Sequence, residues 1–560
     1  MPNPLLSALA LAAACVALAP ASQAVAQGKT KVKTKTKTEQ PATAAPATDW
    51  SVNYANTITQ EDLRQHLSVL ASDEYEGRET GEKGQKMAAA YLAQQFRQIG
   101  LAGPVKDSDN PFIQHFTLER SLWDLAKMKL QIGKQSYAWM TDFYASGDSP
   151  FSQETTLQPV FAGYGIEQGD YNDYATLDVK GKDVVVLLGE PLKDGKPLLS
   201  TTGKPSKWGT DSRAKAALAT EKGARSVFFV NPDAAKFTQS LTRLKPYLQR
   251  PRMSMPAQAL GMSKEQAPVA RAATFFVSTP VGLELLNTSA EGVAKYQAAV
   301  ATAGKPTKAA FRPEKVVIRA PRKMETFATE NVMGYLEGSD KKDEVLVVSA
   351  HYDHLGIRDG KVFNGADDDG SGTVSVLEMA QAFVQAKQEG HGPRRSILFL
   401  TVTGEEEGLF GSEYYTDHPV FPLEQTIADL NLDMVGRTDD KHKVGDQYVC
   451  LVGSDKLSSE LHAINEAMNK QYTQLDLDYR YNDPADPERV YYRSDHYNFA
   501  KHRVPVIFYT TGDHADYHQE TDEVDKIEFP LMEKRDRLVF HTAWELVNRD
   551  QRIVVDSNKP

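Results

Sequence analysis

An α/β fold, with a mainly parallel central sheet sandwiched by helices, is predicted by three observations on the second half of the chain. Past Glu325, short apolar runs alternate with helical patterns: ENVMGYLEG, EVLVVSAH, RRSILFLTVTGEEEG, TIADLNLDMVG and VPVIFYTTG. Strands alternating with helices imply a mainly parallel sheet covered on both faces. The run Val345 to Val348 is too short for an independent helix and apolar on both faces, as a strand in the middle of such a sheet should be. After the glycine- and aspartate-rich turn Gly365 to Gly372, TVSVLEMAQAFVQA carries apolar residues at helical spacing, so a helix begins near Ser371 or Thr373.

Of 560 residues, 41% are hydrophobic and 25% charged, an ordinary globular composition long enough for more than one domain. A net charge of −11 without a basic patch in the folded part argues against a nucleic-acid partner. Residues 1–26 are expected to be an export signal, with an apolar run from Leu5 to Pro20 and small residues Ala24-Val25-Ala26 before Gln27. No Lys or Arg precedes that run, which departs from the usual signal pattern. It is also shorter than the roughly 20 apolar residues of a membrane span. No stable membrane insertion is therefore expected after its removal, and the chain is placed in the periplasm or outside the cell. The mature chain keeps only Cys450 and has no intrachain disulfide. Residues 27–54, Lys/Thr alternation and then PATAAPAT, are read as a disordered linker unable to bury a core.

Residues 55–125 begin helical. Thr59 is placed to cap a helix from Gln60 with a stripe of Leu63, Leu67 and Leu70, and QKMAAAYLAQQFRQIGL makes a second helix ended by Gly100. Residues 126–300 change character. LQPVFAGYGIE, VKGKDVVVLLGEP and ARSVFFVNP are short strands, with one helix in SRAKAALATEKGA and no cluster of His, Cys or paired acids. This reads as an inserted β-rich domain without catalysis. Residues 301–550 hold the strand-and-helix alternation.

The residues that carry chemistry stand at the ends of the later strands. His351 and Asp353 follow EVLVVSA, Asp368 lies in the turn, and Glu405 and Glu406 follow SILFLTVTG. Asp433 ends LNLDMVG, and His518 comes after VIFYTTGDHADY. Open α/β sheets place ligands at the carboxyl ends of their strands. Imidazoles with carboxylates form a mixed N/O donor set that suits zinc, though manganese or cobalt also fit. Five such groups exceed what one catalytic zinc with an open position needs, so two metals are expected. A lone buried histidine is more often a core residue, and acid runs are usually solvated turns. Asp433 is the harder case, since a carboxylate in an apolar strand needs a cation or strong donors. His354, His391, His418, His496 and His514 are read as structural, surface or supporting residues. Taken from the residues alone, the pattern points to a metal site and leaves its reaction open.

AHYDHLG…NGADDDGSG, TGEEEGLFGS, NLDMVG and DYHQETDE resemble, in this order, the motifs of the co-catalytic dizinc aminopeptidase family, which takes in secreted bacterial leucyl aminopeptidases and, more distantly, glutamate carboxypeptidase II and the transferrin receptor. The resemblance spans roughly residues 58–545. It implies a zinc-exopeptidase-like domain in two parts, 55–125 and 301–550, interrupted by a protease-associated domain over 126–300, and peptides as substrates. It further implies two zinc ions: His351 and Asp433 on one, Glu406 and His518 on the other, Asp368 bridging. Asp353 matches the carboxylate that holds the ligand imidazole, Glu405 the general base, and Tyr517 a tyrosine that steadies the tetrahedral intermediate. Glu407 and Asp367 depart from the family pattern, which usually has a non-acidic residue and Asn there. An exported aminopeptidase is the favoured reading. The alternatives are a carboxypeptidase-like or glutaminyl-cyclase-like zinc enzyme of the same fold, or a binding protein that has lost the chemistry.

Overall fold

The computed structural model describes residues 48–106, 108–256 and 272–557; the expected signal over 1–26 and the linker up to residue 47 lie outside them. The first element is already helical. Helix α1 (Trp50–Ala55) is capped by Asp49, so residues 50–54 of the expected disordered linker lie in a helix. Helix α2 (Gln60–Leu70) starts where expected, the Thr59 hydroxyl accepting from the Asp62 N–H, and buries Leu63, Leu67 and Leu70. Helix α3 (Lys83–Gln98) follows, with Gly100 just beyond its end at φ +96°. No helix among the described residues is long and apolar enough to cross a membrane.

The main sheet has nine strands: β1 (Ile113–Trp123), β2 (Arg252–Ser254), β3 (Arg322–Leu336), β4 (Lys341–His351), β5 (Arg395–Val402), β6 (Thr426–Leu432), β7 (Tyr448–Val452), β8 (Asp476–Asp478) and β9 (Val506–Thr510). Their spatial order is β2-β1-β3-β5-β4-β6-β9-β7-β8. The four central strands β5, β4, β6 and β9 run parallel. Toward one edge β3, β1 and β2 pair antiparallel, and β7 pairs antiparallel with β9. The α/β class is as expected, but the sheet is mixed, its continuous parallel part confined to the centre. The apolar character of β4 on both faces has its cause here. Leu346, Val348 and Ala350 pack into the core shared with α1, α2, α3, α4 (Gly372–Gln388) and α6 (Phe529–Asn548). Val345 and Val347 pack on the other face with Tyr415 of α5 (Phe410–Asp417) and Phe499.

The insert has its own core. It leaves after Trp123 and returns at Arg322, two residues that face each other across the β1–β3 ladder. Its span is therefore 124–321, and the expected end at residue 300 is too early: strand Val316–Arg319 pairs with Lys129–Ile132 and Thr155–Leu157 inside the insert. Nor is it simply β-rich. A five-stranded sheet places Ala273–Val277, Ser226–Val230, Asp183–Leu187 and Val160–Phe161 side by side in parallel, with helices between them. One segment leaves this core: helix Ala234–Gln249 runs into β2, which pairs with β1 at the edge of the main sheet. There Met253 and Met255 bury against Phe116 and Leu118, with Phe410 of α5 packed on the same cluster.

Candidate metal centre

All the sequence-expected residues come together at the carboxyl ends of the four parallel strands. His351 is the last residue of β4, and Asp368 lies in the turn Ala366–Ser371 that leads into α4. Glu405 and Glu406 follow β5, Asp433 follows β6, and Tyr517 and His518 follow β9. Asp368 lies between two histidines. Its Oδ1 is 3.4 Å from His351 Nε2, and its Oδ2 is 3.1 Å from His518 Nε2. On the first side His351 Nε2 also lies 3.7 Å from Asp433 Oδ1 and 3.8 Å from Glu405 Oε2. On the second, His518 Nε2 lies 3.1 Å from Glu406 Oε2. Ligand atoms of His351, Glu405 and Asp433 form one group close enough to hold a metal, and those of His354, Asp368 and Glu406 another.

Local structure places these side chains by hydrogen bonds to the backbone. The turn around Asp368 is held from both ends. The Arg78 guanidinium donates to the carbonyls of Tyr352, Leu70, Asn364 and Gly365 at 2.7–2.9 Å, and the Asp522 carboxylate accepts from the N–H groups of Asp367 and Asp368. Asp369 accepts from the N–H groups of His351, Gly372 and Met434, tying two strand ends and the start of α4 to one carboxylate. Gly372 is required by proximity, because a Cβ there would lie 2.3 Å from the Leu432 carbonyl oxygen. Asp433 Oδ2 accepts from Ser494 Oγ at 2.6 Å, and Ser494 accepts in turn from the Asn431 amide.

Asp353 sits as expected beside His351, with a difference. His351 Nδ1 is 3.1 Å from the Asp353 carbonyl oxygen and 3.6 Å from its carboxylate. The carboxylate accepts instead from Thr80 Oγ1 at 2.8 Å and from the Glu405 N–H at 3.3 Å, so Asp353 joins the His351 strand end to the Glu405 loop. Tyr517 stacks on His518, ring centroids 3.9 Å apart, and its hydroxyl accepts from Arg493 Nη2 at 3.2 Å. Arg493 Nη2 also lies 3.7 Å from Asp513 Oδ2.

The electrostatics follow from crowding. Burial favours the neutral imidazole of His351, but Glu405 and Asp433 outweigh it and raise its pKa well above the ordinary value. His518 is pushed up to about 10 in the same way, burial being overcome by hydrogen bonding to Asp368 and Glu406. Glu405 moves the other way from its neighbour. Burial, with Asp433 and Glu406 nearby, raises its pKa well above the carboxylate range, while hydrogen bonds from His354 and His518 bring Glu406 down to about 2 despite burial and the charge of Asp368. Two adjacent glutamates thus have opposite proton affinities, the pattern of a proton acceptor beside a permanently ionised ligand.

The donor set fits the group that it resembles a site for. His351 Nε2 and His354 Nε2 are buried without a hydrogen-bond partner. Unpartnered buried nitrogens and carboxylates facing one another are costly unless a cation joins them. A narrow pocket of about 40 Å³ opens on Asp368, Glu405 and Asp433. Met434, Val490 and Phe508 give it apolar walls, and Arg493, Asp513 and Tyr517 polar ones. Sequence reasoning assigned no role to Arg78, Asp369, Asp513, Asp522 or Ser494, and His354 stands closer to the cluster than a supporting residue was expected to. His354 Nδ1 is 2.7 Å from Glu406 Oε1. The third aspartate of DDD was the one available signal, since a solvated turn has no need to bury Asp369 completely.

Residues 331–543 match the profile of Peptidase family M28. A probable leucine aminopeptidase of Arthroderma otae is 29% identical over 214 residues, 37% of this chain and 55% of that protein. Aminopeptidase YwaD of Bacillus subtilis is 33% identical over 115 residues, 20% of this chain and 23% of that protein. The chain thus spans about half the length of the fungal relative and less of the bacterial one. The structure of an aminopeptidase from Aneurinibacillus sp. strain AM-1 superposes with a TM-score of 0.54 at 18% identity, covering 91% of this chain and all of that one, a likeness of fold.

Proposed function

We propose, from the match of residues 331–543 to Peptidase family M28, that this chain is a zinc-dependent aminopeptidase that holds two zinc ions and releases single N-terminal residues from peptides. The observation that carries the reading is Asp368, one carboxylate with an oxygen toward His351 and the other toward His518. In it, His351, Asp368 and Asp433 would hold one ion and Asp368, Glu406 and His518 the other. Zinc in such a site lowers the pKa of its water to about 7 and polarises a carbonyl. Glu405 accepts the proton of the attacking water and passes it to the leaving amine, work suited to a carboxyl group of raised pKa. Asp353 keeps His351 and the Glu405 loop in register. Tyr517 takes a hydrogen bond from Arg493 and so turns its own O–H toward the pocket, where charge develops on the scissile carbonyl oxygen.

The preference for the amino end rests on charge. A peptide α-amine has a pKa of about 8 and is largely cationic near neutrality. Glu405, Asp433 and Asp513 line the pocket, and its guanidinium, Arg493, lies beside Asp513. Arg437, the other arginine near the loops, is paired with Asp516. Export by residues 1–26 and a protease-associated character for the insert complete the reading. The test uses one peptide in matched forms, with free or acetylated amine and free or amidated carboxyl end, together with zinc analysis. Hydrolysis abolished by acetylation and unaffected by amidation, with two zinc ions per chain, is expected; the converse pattern assigns the chain to the carboxypeptidase-like alternative.

A further inference from the structure

We propose that the insert carries a second binding site, for the C-terminal end of a peptide with an aromatic or large apolar last residue. The observation is a cavity of about 490 Å³, far larger than the pocket at the acid cluster. Its size falls within the range of roughly 300–1,000 Å³ typical of small-molecule sites. It opens at the carboxyl ends of the insert's parallel strands, against Leu188 and Gly189, Asn231 and Pro232, and Val277. That is where open parallel sheets place ligands.

Its floor is aromatic. Tyr144 and Phe276 stack at 4.8 Å and 7°, Phe229 stacks on Phe276 at 5.0 Å, and Phe237 lies 5.8 Å from Tyr144. Trp208 forms a wall, its ring fixed by donation from Nε1 to Gln168 Oε1 at 2.7 Å. Such a floor accepts a flat side chain.

Its rim is cationic. Lys236 and Arg243 line it from one face of helix Ala234–Gln249. Among the described residues no carboxylate lies within ion-pair distance of Arg243, and Lys236 has only Asp233 at 4.0 Å. Asp233 also lines the cavity, its Oδ1 accepting from the N–H groups of Ala235 and Lys236 as the helix cap, so the two cations outnumber the one carboxylate of the lining. In a chain of net charge −11, two cations over an aromatic floor select an anion that carries an apolar group. Thr210, Ser212 and Gln239 add hydrogen-bonding side chains to the lining. An amide backbone uses them and a fatty acid does not, which favours a peptide end over an alkyl carboxylate. The site stands on the insert's geometry and does not depend on what the acid cluster does.

The experiment uses the full chain, with N-acetyl-L-phenylalanine, its C-terminal amide and decanoate as probes, followed by Trp208 fluorescence and by calorimetry. The blocked amine keeps the probes from resembling an aminopeptidase substrate. The acid should bind about ten-fold or more tightly than the amide, the worth of one charge-assisted contact. Arg243→Gln, a change on an exposed helix, should remove that difference. Trp208→Phe should remove the optical signal while leaving the heat, and chelation of metal should leave binding unchanged. Equal affinity for acid and amide, tighter binding of decanoate, indifference to Arg243→Gln, or loss of binding on chelation would each overturn the proposal.

Discussion

At the scale of single residues, neighbours in sequence have opposite environments. Glu405 and Glu406 are adjacent, yet burial raises the first and the histidines lower the second. Glu405→Gln is expected to keep its zinc and fold while losing about two to four decades of turnover, the usual share of general acid–base catalysis. Glu406→Gln is expected to lose zinc. Metal analysis of the two variants decides the register of the acid run, and stripping of metal by Glu405→Gln alone would reverse the two roles. Arg493 is a positioning residue in the same sense. Its contact with the Tyr517 hydroxyl predicts that Arg493→Ala lowers kcat about ten-fold with zinc content intact. In a Tyr517→Phe background the same change should cost nothing more, and a double-mutant cycle measures this coupling. Additive losses would separate Arg493 from the tyrosine.

At the scale of elements, helix α6 shows how burial couples to pH. His541 is 5% exposed and stacks on Tyr472 at 3.7 Å. Burial, ahead of its charged neighbours, pushes its pKa down to about 4, against about 6.5 in the unfolded chain. Between these values the unfolded chain binds the more protons, so stability is complete above about pH 6.5 and is lost as pH falls toward 4. Urea unfolding at pH 7 and 4.5 should show a loss on the order of a few kcal/mol that His541→Phe makes smaller. An unchanged pH slope in that variant would refute the assignment. Strand β2 is the other telling element. It belongs to the insert in sequence and to the main sheet in space, and Met253 and Met255 bury against Phe116 and Leu118 with Phe410 nearby. Met253→Ala should cost about 2–5 kcal/mol of stability in denaturant unfolding. An effect near zero would show that the strand merely lies on the sheet.

For the whole molecule, the insert is more than a removable appendage. It enters and leaves through paired residues Trp123 and Arg322, so the natural place to excise it is there, not at residue 300. Excision also strips β2 from the sheet edge and uncovers the Phe116 and Leu118 cluster beside α5, the helix that follows the acid run. The two large features of the molecule stay distinct: a small pocket on the acid cluster, and a larger cavity with an aromatic floor in the insert.

By itself the sequence located strands β3, β4, β5, β6 and β9, the helices from Gln60 and Lys83, and the expected group of His351, Asp353, Asp368, Glu405, Glu406, Asp433 and His518, with Tyr517 added only by the family resemblance. These are legible because each depends on short-range patterning: apolar runs buried on both faces, a cap three residues from the N–H that it accepts, acids and imidazoles just past strand ends. Only the tertiary structure decided the supports. Arg78 reaches Gly365, Asp522 holds the N–H groups of Asp367 and Asp368, Ser494 holds Asp433, and β2 crosses from the insert to the main sheet. Those partners are tens to hundreds of residues apart, and no local period or motif encodes such a separation. The mixed sheet was hidden for the same reason, since a strand's apolar pattern records its burial and not the direction of the neighbour it pairs with.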